Sequence, residues 1–441
     1  MNYFNIIQRS KNRIDQFDIN FLKKLYIQKP EKTTEVAHGY PVSVLDTFST
    51  EVQDVDIPFE TVVDMQESSV YIQIPWCRLR CIYCRYPDAY CQTVDDDVYR
   101  RFLEKIRCQL AYYNDRFKCK KLYVNRLYIG GGTPSLLSVG QLRQLFQALD
   151  DTIDFKDQSF RVMEVSPSSL TYEKVKLMFE YGINRVSIGV QSFTPHILKA
   201  IGRVAEGPEE VRNAMKLLRS FNIPEINIDI MPGLPKQSLE DFVYDVEMAT
   251  QLKPSSISFL DLEVWTGSFL EQNHIKNTFF DFQKVLIMRS IYQEILSTNG
   301  YVFTRPHYGV LPNEMRNASN RMVCTDNRQY GKQIGLGPHA ISHIGDMVYR
   351  TTSFKDFMET EAPINMERFL RVSPDVAHSM KIITSLVNEK SLIELAYVSF
   401  PKECDFLKKN DLINEQGELT ETGCLFGSEI MYLFYPGSFI D

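Results

Sequence analysis

Between residues 70 and 260, short apolar runs rich in valine and isoleucine alternate with longer stretches whose apolar positions recur every three or four residues. The first pattern reads as buried strands and the second as amphipathic helices. Strands are expected at Val70–Ile74, Arg126–Ile129, Phe160–Val165, Arg185–Val190, Glu225–Ile230 and Ser255–Leu260. Helices are expected over Asp96–Tyr113, Val139–Leu149, Thr171–Tyr181, Pro208–Phe221 and Leu239–Leu252. Six strands separated by helices imply parallel βα units, hence an α/β sheet able to curl into a barrel or part of one. In such folds reactive groups sit just past the C-terminal ends of the strands.

The flanks follow other rhythms. Residues 1–69 read as a polar N-terminal arm with one short helix, Asp15–Leu25. Residues 70–345 form the barrel and complete its pocket, the later part through a helix at Asp281–Leu296 and a strand at Tyr301–Pro306. From residue 346 to 441 the pattern predicts a separate, mostly helical unit: helices at Ser373–Val387 and Lys390–Phe400, a small hairpin at Asn410–Thr420, and a last helix at Glu421–Leu433. Tyr432, Phe434, Tyr435 and Phe439 form an aromatic tail, suited to pack on the barrel or to cover a flat conjugated substrate.

Composition narrows the partners. With 44% hydrophobic and 24% charged residues the 441-residue chain resembles an ordinary soluble protein. A net charge of −7 without a basic run argues against nucleic acid as the partner. No stretch approaches membrane-spanning length and the N-terminus lacks an apolar signal core, so a cytoplasmic protein is expected. In that compartment the nine cysteines read as free thiols and ligands.

Three of them, Cys77, Cys81 and Cys84, lie at CxxxCxxC spacing directly after the first strand. A short loop brings three thiolates to one side, as three irons of a cubane cluster require, leaving the fourth iron open. A structural zinc site would want a fourth ligand, usually from a second spaced pair, and only Cys91 lies nearby. Polar features recur at later strand ends: Gly130-Gly131-Gly132-Thr133-Pro134-Ser135, then Glu164, then Gln191 with Ser192, then Asp229. Each alone reads as a turn or an internally satisfied polar group; together they outline a shared pocket.

These residues resemble the radical S-adenosylmethionine (radical SAM) superfamily, in the branch related to oxygen-independent coproporphyrinogen III dehydrogenase. The resemblance rests on the CxxxCxxC loop, GGGTPS, Glu164, Asn184–Phe193, Gly202-Arg203 and Asp229 with its Pro-Gly-Leu-Pro. It implies a partial (β/α)6 TIM-like barrel with a winged-helix-like C-terminal domain. It also implies a 4Fe–4S cluster on Cys77, Cys81 and Cys84, and S-adenosylmethionine, as one or two molecules, on Tyr71, Gly131, Gly132, Thr133, Glu164, Gln191, Arg203, Asp229 and Ala340. A reductant such as flavodoxin or ferredoxin would then release a 5′-deoxyadenosyl radical. Tyr308 and His339, with His307 and His343, are candidate proton carriers.

The dehydrogenase pattern is broken twice: Tyr86 stands where a fourth cysteine is expected, and Gln73 where a histidine is. These departures favour a class C radical SAM methyltransferase, acting on an sp² carbon of a conjugated ring or tetrapyrrole. The alternatives are the porphyrinogen oxidoreductase and a haem chaperone of the HemW type.

Overall fold

The computed structural model describes residues 2–27, 50–51, 68–264, 268–275, 278–314 and 332–435. In chain order its strands are β1 (Thr50–Glu51), β2 (Ser68–Ile74), β3 (Trp76–Cys77), β4 (Ala89–Tyr90), β5 (Leu122–Gly131), β6 (Ile153–Val165), β7 (Arg185–Gln191), β8 (Glu225–Ile230), β9 (Ser256–Phe259), β10 (Val302–Arg305), β11 (Tyr308–Val310), β12 (Lys332–Leu336), β13 (Ile341–Ile344), β14 (Met347–Thr351) and β15 (Met366–Arg371). The six strands expected from alternation are β2 and β5 to β9, and they pair in that order, all parallel. The expected helices form between them, with starts set by side-chain caps: Ser138 and Ser238 each accept a backbone N–H in a capping box.

Register decides what the inside of this curved sheet contains. Side chains alternate between faces, so Val186, Ile188 and Val190 of β7, and Ile226, Ile228 and Ile230 of β8, are buried against the helices. The intervening residues face inward and stand level: Arg185 beside Glu225, Ser187 beside Asn227, Gly189 beside Asp229. On the next pair Asn227 stands beside Ser256 and Asp229 beside Ser258. The result is a partial α/β barrel, an open curved sheet with a polar lumen.

Both edges of the sheet are extended. β11 and β10 continue it antiparallel beyond β9. On the other side β12 lies parallel to β2, and β13, β14 and β15 follow antiparallel, with β1 pairing β15. The boundary expected at residue 345 therefore falls in the β13–β14 turn, and the sheet runs on into the segment read as helical. The short apolar alternation of β14 is interrupted by Arg350 and carries no helix-to-strand signal of its own.

The terminal segments also differ from expectation. The N-terminal arm holds two helices, Tyr3–Asp15 and Ile19–Ile27, broken where the Asp18 carboxylate accepts the backbone N–H groups of Asn20 and Phe21. Ile6, Ile7 and Ile14 bury one face of the first helix. At the other end the last helix is split into Glu421–Leu425 and Gly427–Tyr432. Gly427 sits at the break because a Cβ there would lie 2.4 Å from the Pro306 Cβ. Tyr432, Phe434 and Tyr435 of the aromatic tail are buried in the second core; Phe439 lies outside the described residues.

A buried charge cluster fastens this second core to the barrel. Arg289, on the helix Phe279–Thr298, donates to Glu429 at 2.7 Å and 3.1 Å, to Asp261 after β9, and to the Leu425 carbonyl at 2.7 Å. Nearby, the His307 ring bridges the Tyr292 hydroxyl at 2.8 Å and the Ser428 hydroxyl at 3.0 Å. Removing the cation of such a triad strands two carboxylates. Arg289→Met is therefore expected to destabilise the fold by about 3–5 kcal/mol, read as a large drop in the thermal midpoint, whereas Arg212→Met on an exposed helix face should leave it unchanged.

Candidate functional site

The loop that leaves β2 is built by backbone rather than by side chains. Trp76–Cys77 pairs with Ala89–Tyr90, and Cys91 N–H donates to the Cys77 carbonyl at 3.0 Å. Between these rungs the cysteine-bearing segment rests on an apolar floor of Ile197, Leu198, Ile201, Met231 and Leu270, which packs around Cys81 and Tyr83. Ile82 N–H donates to the Ile201 carbonyl at 3.3 Å, and Gly202 lies so close that a Cβ would come 2.8 Å from the Arg80 carbonyl oxygen.

Cys77 and Cys81 are buried and Cys84 half-buried. Burial pushes the Cys84 thiol up to about 12, with Cys81 and Cys77 adding to the shift. The Cys77 thiol stands 3.0 Å from the Thr133 hydroxyl, and Arg203 donates to the Cys81 sulfur at 3.5 Å. Among the described residues no three His, Cys, Asp or Glu side chains converge as ligands of a single ion. A cubane asks for less: one thiolate on each of three corner irons.

Beside the cysteines lies a hollow lined by Cys77, Arg78, Thr133, Ser166, Ser169 and Arg203. Two buried atoms near it have no partner, Arg203 Nε and Gln191 Oε1. The rest of Arg203 is committed, one Nη donating to the Gly189 carbonyl at 2.5 Å. Gln191 itself has φ of 71°, a left-handed turn that lifts the chain off the end of β7. A cation and an amide buried with spare hydrogen-bonding capacity fit a ligand carrying a carboxylate and polar groups.

Deeper in the lumen the polar residues mostly satisfy one another. Tyr128 donates to Glu164 at 2.5 Å; Asn227 donates to Asp229 at 2.7 Å and to the Ser187 hydroxyl at 2.9 Å, and Ser187 donates to Asp229 at 2.9 Å. Burial raises Glu164 to about 7 against the Tyr128 hydrogen bond, and raises Asp229 against its hydroxyl donors. Tyr71 stacks on Tyr128 at 5.7 Å and donates to Gln73 at 2.6 Å. Gln73 in turn donates to the Tyr86 carbonyl at 3.4 Å, so the two departures from the dehydrogenase pattern meet in space. Tyr308 joins this interior, opposite Ser258 and with its ring 5.5 Å from the Arg185 guanidinium carbon.

Several expectations acquire a different physical basis. Gly131 and Gly132 are needed by internal crowding: a Cβ would lie 2.6 Å from Gln73 Cδ or 2.4 Å from the Trp76 carbonyl oxygen. The His339 ring is engaged on both sides, with its two nitrogens 3.0 Å from Asp88 and 3.6 Å from Glu367. Ala340 next to it is fully buried, as is His343 in β13. Two supports went unread. Asp245 accepts from Ser192, Phe193 N–H, Thr194 and Gln237, pinning the turn after Gln191. Its signal was an aspartate on the same helical face as Phe242 and Ala249. Glu206, fully buried, holds Ser168 N–H at 3.1 Å and Arg78 at 3.5 Å; nothing in the local pattern marks it.

Comparison with known proteins accounts for this arrangement. Residues 71–249 match the model of the Radical SAM superfamily. The heme chaperone HemW of Haemophilus influenzae is 26% identical over 83% of this chain and 97% of its own length. That of Buchnera aphidicola is 30% identical over 66% of this chain and 75% of its own. The fold superposes on the coproporphyrinogen III oxidase HemN of Escherichia coli with a TM-score of 0.74, covering 88% of this chain and 95% of that one at 22% identity. The chain belongs to the radical SAM superfamily, in the branch that holds these two proteins. This family uses a 4Fe–4S cluster and S-adenosylmethionine. Among the described residues no helix is long and apolar enough to cross a membrane.

Two measurements test the site without ligands. Glu164 has a folded pKa above its unfolded one, so its stabilising neutral form is fully present below pH ~4.5 and is lost as pH rises through about 7. Glu164→Gln should remove that loss and gain about 1–3 kcal/mol over wild type at pH 8, with no gain at pH 4.5. In the iron-free protein, iodoacetamide at pH 8 should alkylate Cys84 far more slowly than the exposed Cys108, as followed by peptide mass spectrometry.

Proposed function

We propose that this chain is a tetrapyrrole-directed radical SAM protein of the heme-chaperone type. Cys77, Cys81 and Cys84 would hold the cluster, and haem would be the second ligand. The single observation that carries this choice is the sequence itself at the two positions that depart from the dehydrogenase pattern, with Gln73 in place of the histidine and Tyr86 in place of the fourth cysteine. The nearly full-length similarity to HemW supports it, and backs the haem-related readings better than the methyl transfer favoured by the sequence.

With cluster and S-adenosylmethionine bound, the pair supplies a one-electron reductive cleavage of the sulfonium. The chain's part is placement. Arg203, with its spare Nε, would take the carboxylate of S-adenosylmethionine. Thr133, Gly131 and Gly132 would offer backbone and hydroxyl groups beside Cys77, with Ala340 and Tyr71 closing the same end of the barrel. Glu164, Gln191 and Asp229 would receive the amino and ribose groups, the two carboxylates gaining charge as a cationic ligand enters. Tyr308 would meet the tetrapyrrole side of the lumen, and a flavodoxin or ferredoxin would serve as reductant.

The test is anaerobic. Reconstituted protein is reduced with S-adenosylmethionine present and offered haem or coproporphyrinogen III, with a Cys77/Cys81/Cys84→Ala triple variant as control. Haem should bind stoichiometrically, and 5′-deoxyadenosine should form only when the three cysteines are intact. Carbon dioxide released from coproporphyrinogen III would transfer the protein to the oxidoreductases; S-adenosylhomocysteine would restore methyl transfer.

A further inference from the structure

The loop that carries the cysteines is anchored beyond them. Asp88 and Ala89 donate their backbone N–H groups to the Pro75 carbonyl at 3.0 Å and 3.2 Å, closing the segment from Cys77 to Cys84. The Asp88 side chain then reaches out of the loop. One carboxylate oxygen lies 3.0 Å from His339 Nε2, and the other accepts the Phe354 N–H at 3.1 Å. The second ring nitrogen of His339 lies 3.6 Å from Glu367 on β15.

We infer that His339 is a positioning residue that latches the cysteine-bearing loop, through Asp88, to the C-terminal strands of the sheet. The turn that presents it is built for this placement. His339 has φ of 54°, a conformation few residues other than glycine, asparagine, aspartate and histidine adopt. Its N–H donates to the Thr352 carbonyl at 3.0 Å, and Thr351 N–H donates to the Ala340 carbonyl at 3.0 Å. Gly337, at φ 93°, lets the same turn press on the end of β2, where a Cβ would lie 2.5 Å from the Gln73 carbonyl oxygen. A strained residue held from both sides and aimed at a carboxylate points to a function for the strain.

The charges around the ring are Asp88 from the loop and Glu367 from β15, with Arg350 of β14 and Arg368 of β15 acting on Glu367. Burial opposes the ring proton, but the Asp88 hydrogen bond and the nearby Glu367 carboxylate outweigh it and hold His339 up to about 9. A raised histidine pKa gives a latch fully present below pH ~6.5 and lost as pH rises through about 9. Its consequence for the cluster rests on the assignment of Cys77, Cys81 and Cys84 as ligands; the latch itself does not.

The experiment is amide hydrogen exchange on the iron-free full-length chain, corrected for intrinsic rates. In wild type, protection of the Asp88, Ala89, Cys91 and Phe354 amides should fall at least tenfold between pH 7 and pH 10, while amides of β7 and β8 hold. His339→Asn, which tolerates the left-handed turn but removes the cation, should show the low value already at pH 7. His339→Lys should keep protection to higher pH than wild type. On reconstituted protein the asparagine variant should also surrender iron to a chelator several-fold faster at pH 7. Wild-type protection that is flat from pH 7 to 10 overturns the latch whether or not a variant folds, as does an asparagine variant indistinguishable from wild type. Failure of any cluster to assemble would refute the proposed function instead, and leaves the exchange result to judge the latch.

Discussion

The structure depends on one constraint, the in-step parallel register of β2 and β5 to β9. Because side chains alternate with period two, a slip of one residue would bury the lumen's carboxylates among helices and turn valines and isoleucines inward. Held in register, Ser187, Asn227 and Ser256 fall at one height, and Gly189, Asp229 and Ser258 at the next. Polar side chains in such a lumen are tolerable only where they bond one another, and the Ser187–Asn227–Asp229 set does so. Where bonding is incomplete, at Arg203 and Gln191, the same register has carried the spare atoms to the open, C-terminal end of the strands.

That end is crowded, and crowding explains residues that ligand binding alone would not. Gly131, Gly132 and Gly202 admit no side chain because Gln73, Trp76 and Arg80 already occupy the space. The cysteine loop is thereby wedged between the β5 turn, the segment after β7 and the helix Phe269–Gln272, whose Leu270 N–H donates to the Ile82 carbonyl at 3.2 Å. Three thiols are held among neighbours that cannot retreat, so their relative positions are fixed by the surrounding packing in advance of any ligand.

Legibility followed periodicity. The six central strands and their helices were readable because alternation and amphipathicity are strong over such lengths. Glu164, Gln191 and Asp229 were readable as polar interruptions at strand ends. The helix Tyr3–Asp15 was missed although Ile6, Ile7 and Ile14 mark its face, because the polar residues between them dominate the composition. β14 and β15 were read as part of a helical unit, since a strand on the flank of a large sheet is settled by its partners and not by its own pattern. His339 looked like a pocket histidine; only the three-dimensional path of residues 88 and 367 reveals its two carboxylates. Glu206 and Asp245 act through loops distant in sequence, which no local window contains.

The anchoring of Asp88 also sets an order of events during synthesis. Its partners, His339 and Phe354, are encoded more than two hundred residues later. Strands β2 to β9 can pair while translation continues, and the β3–β4 loop can settle on residues 197–201 and 270, but its Asp88 anchor must wait for residues 339 and 354. The part of the barrel rim that carries the thiols therefore receives its outermost restraint last, from residues synthesised after the whole parallel sheet.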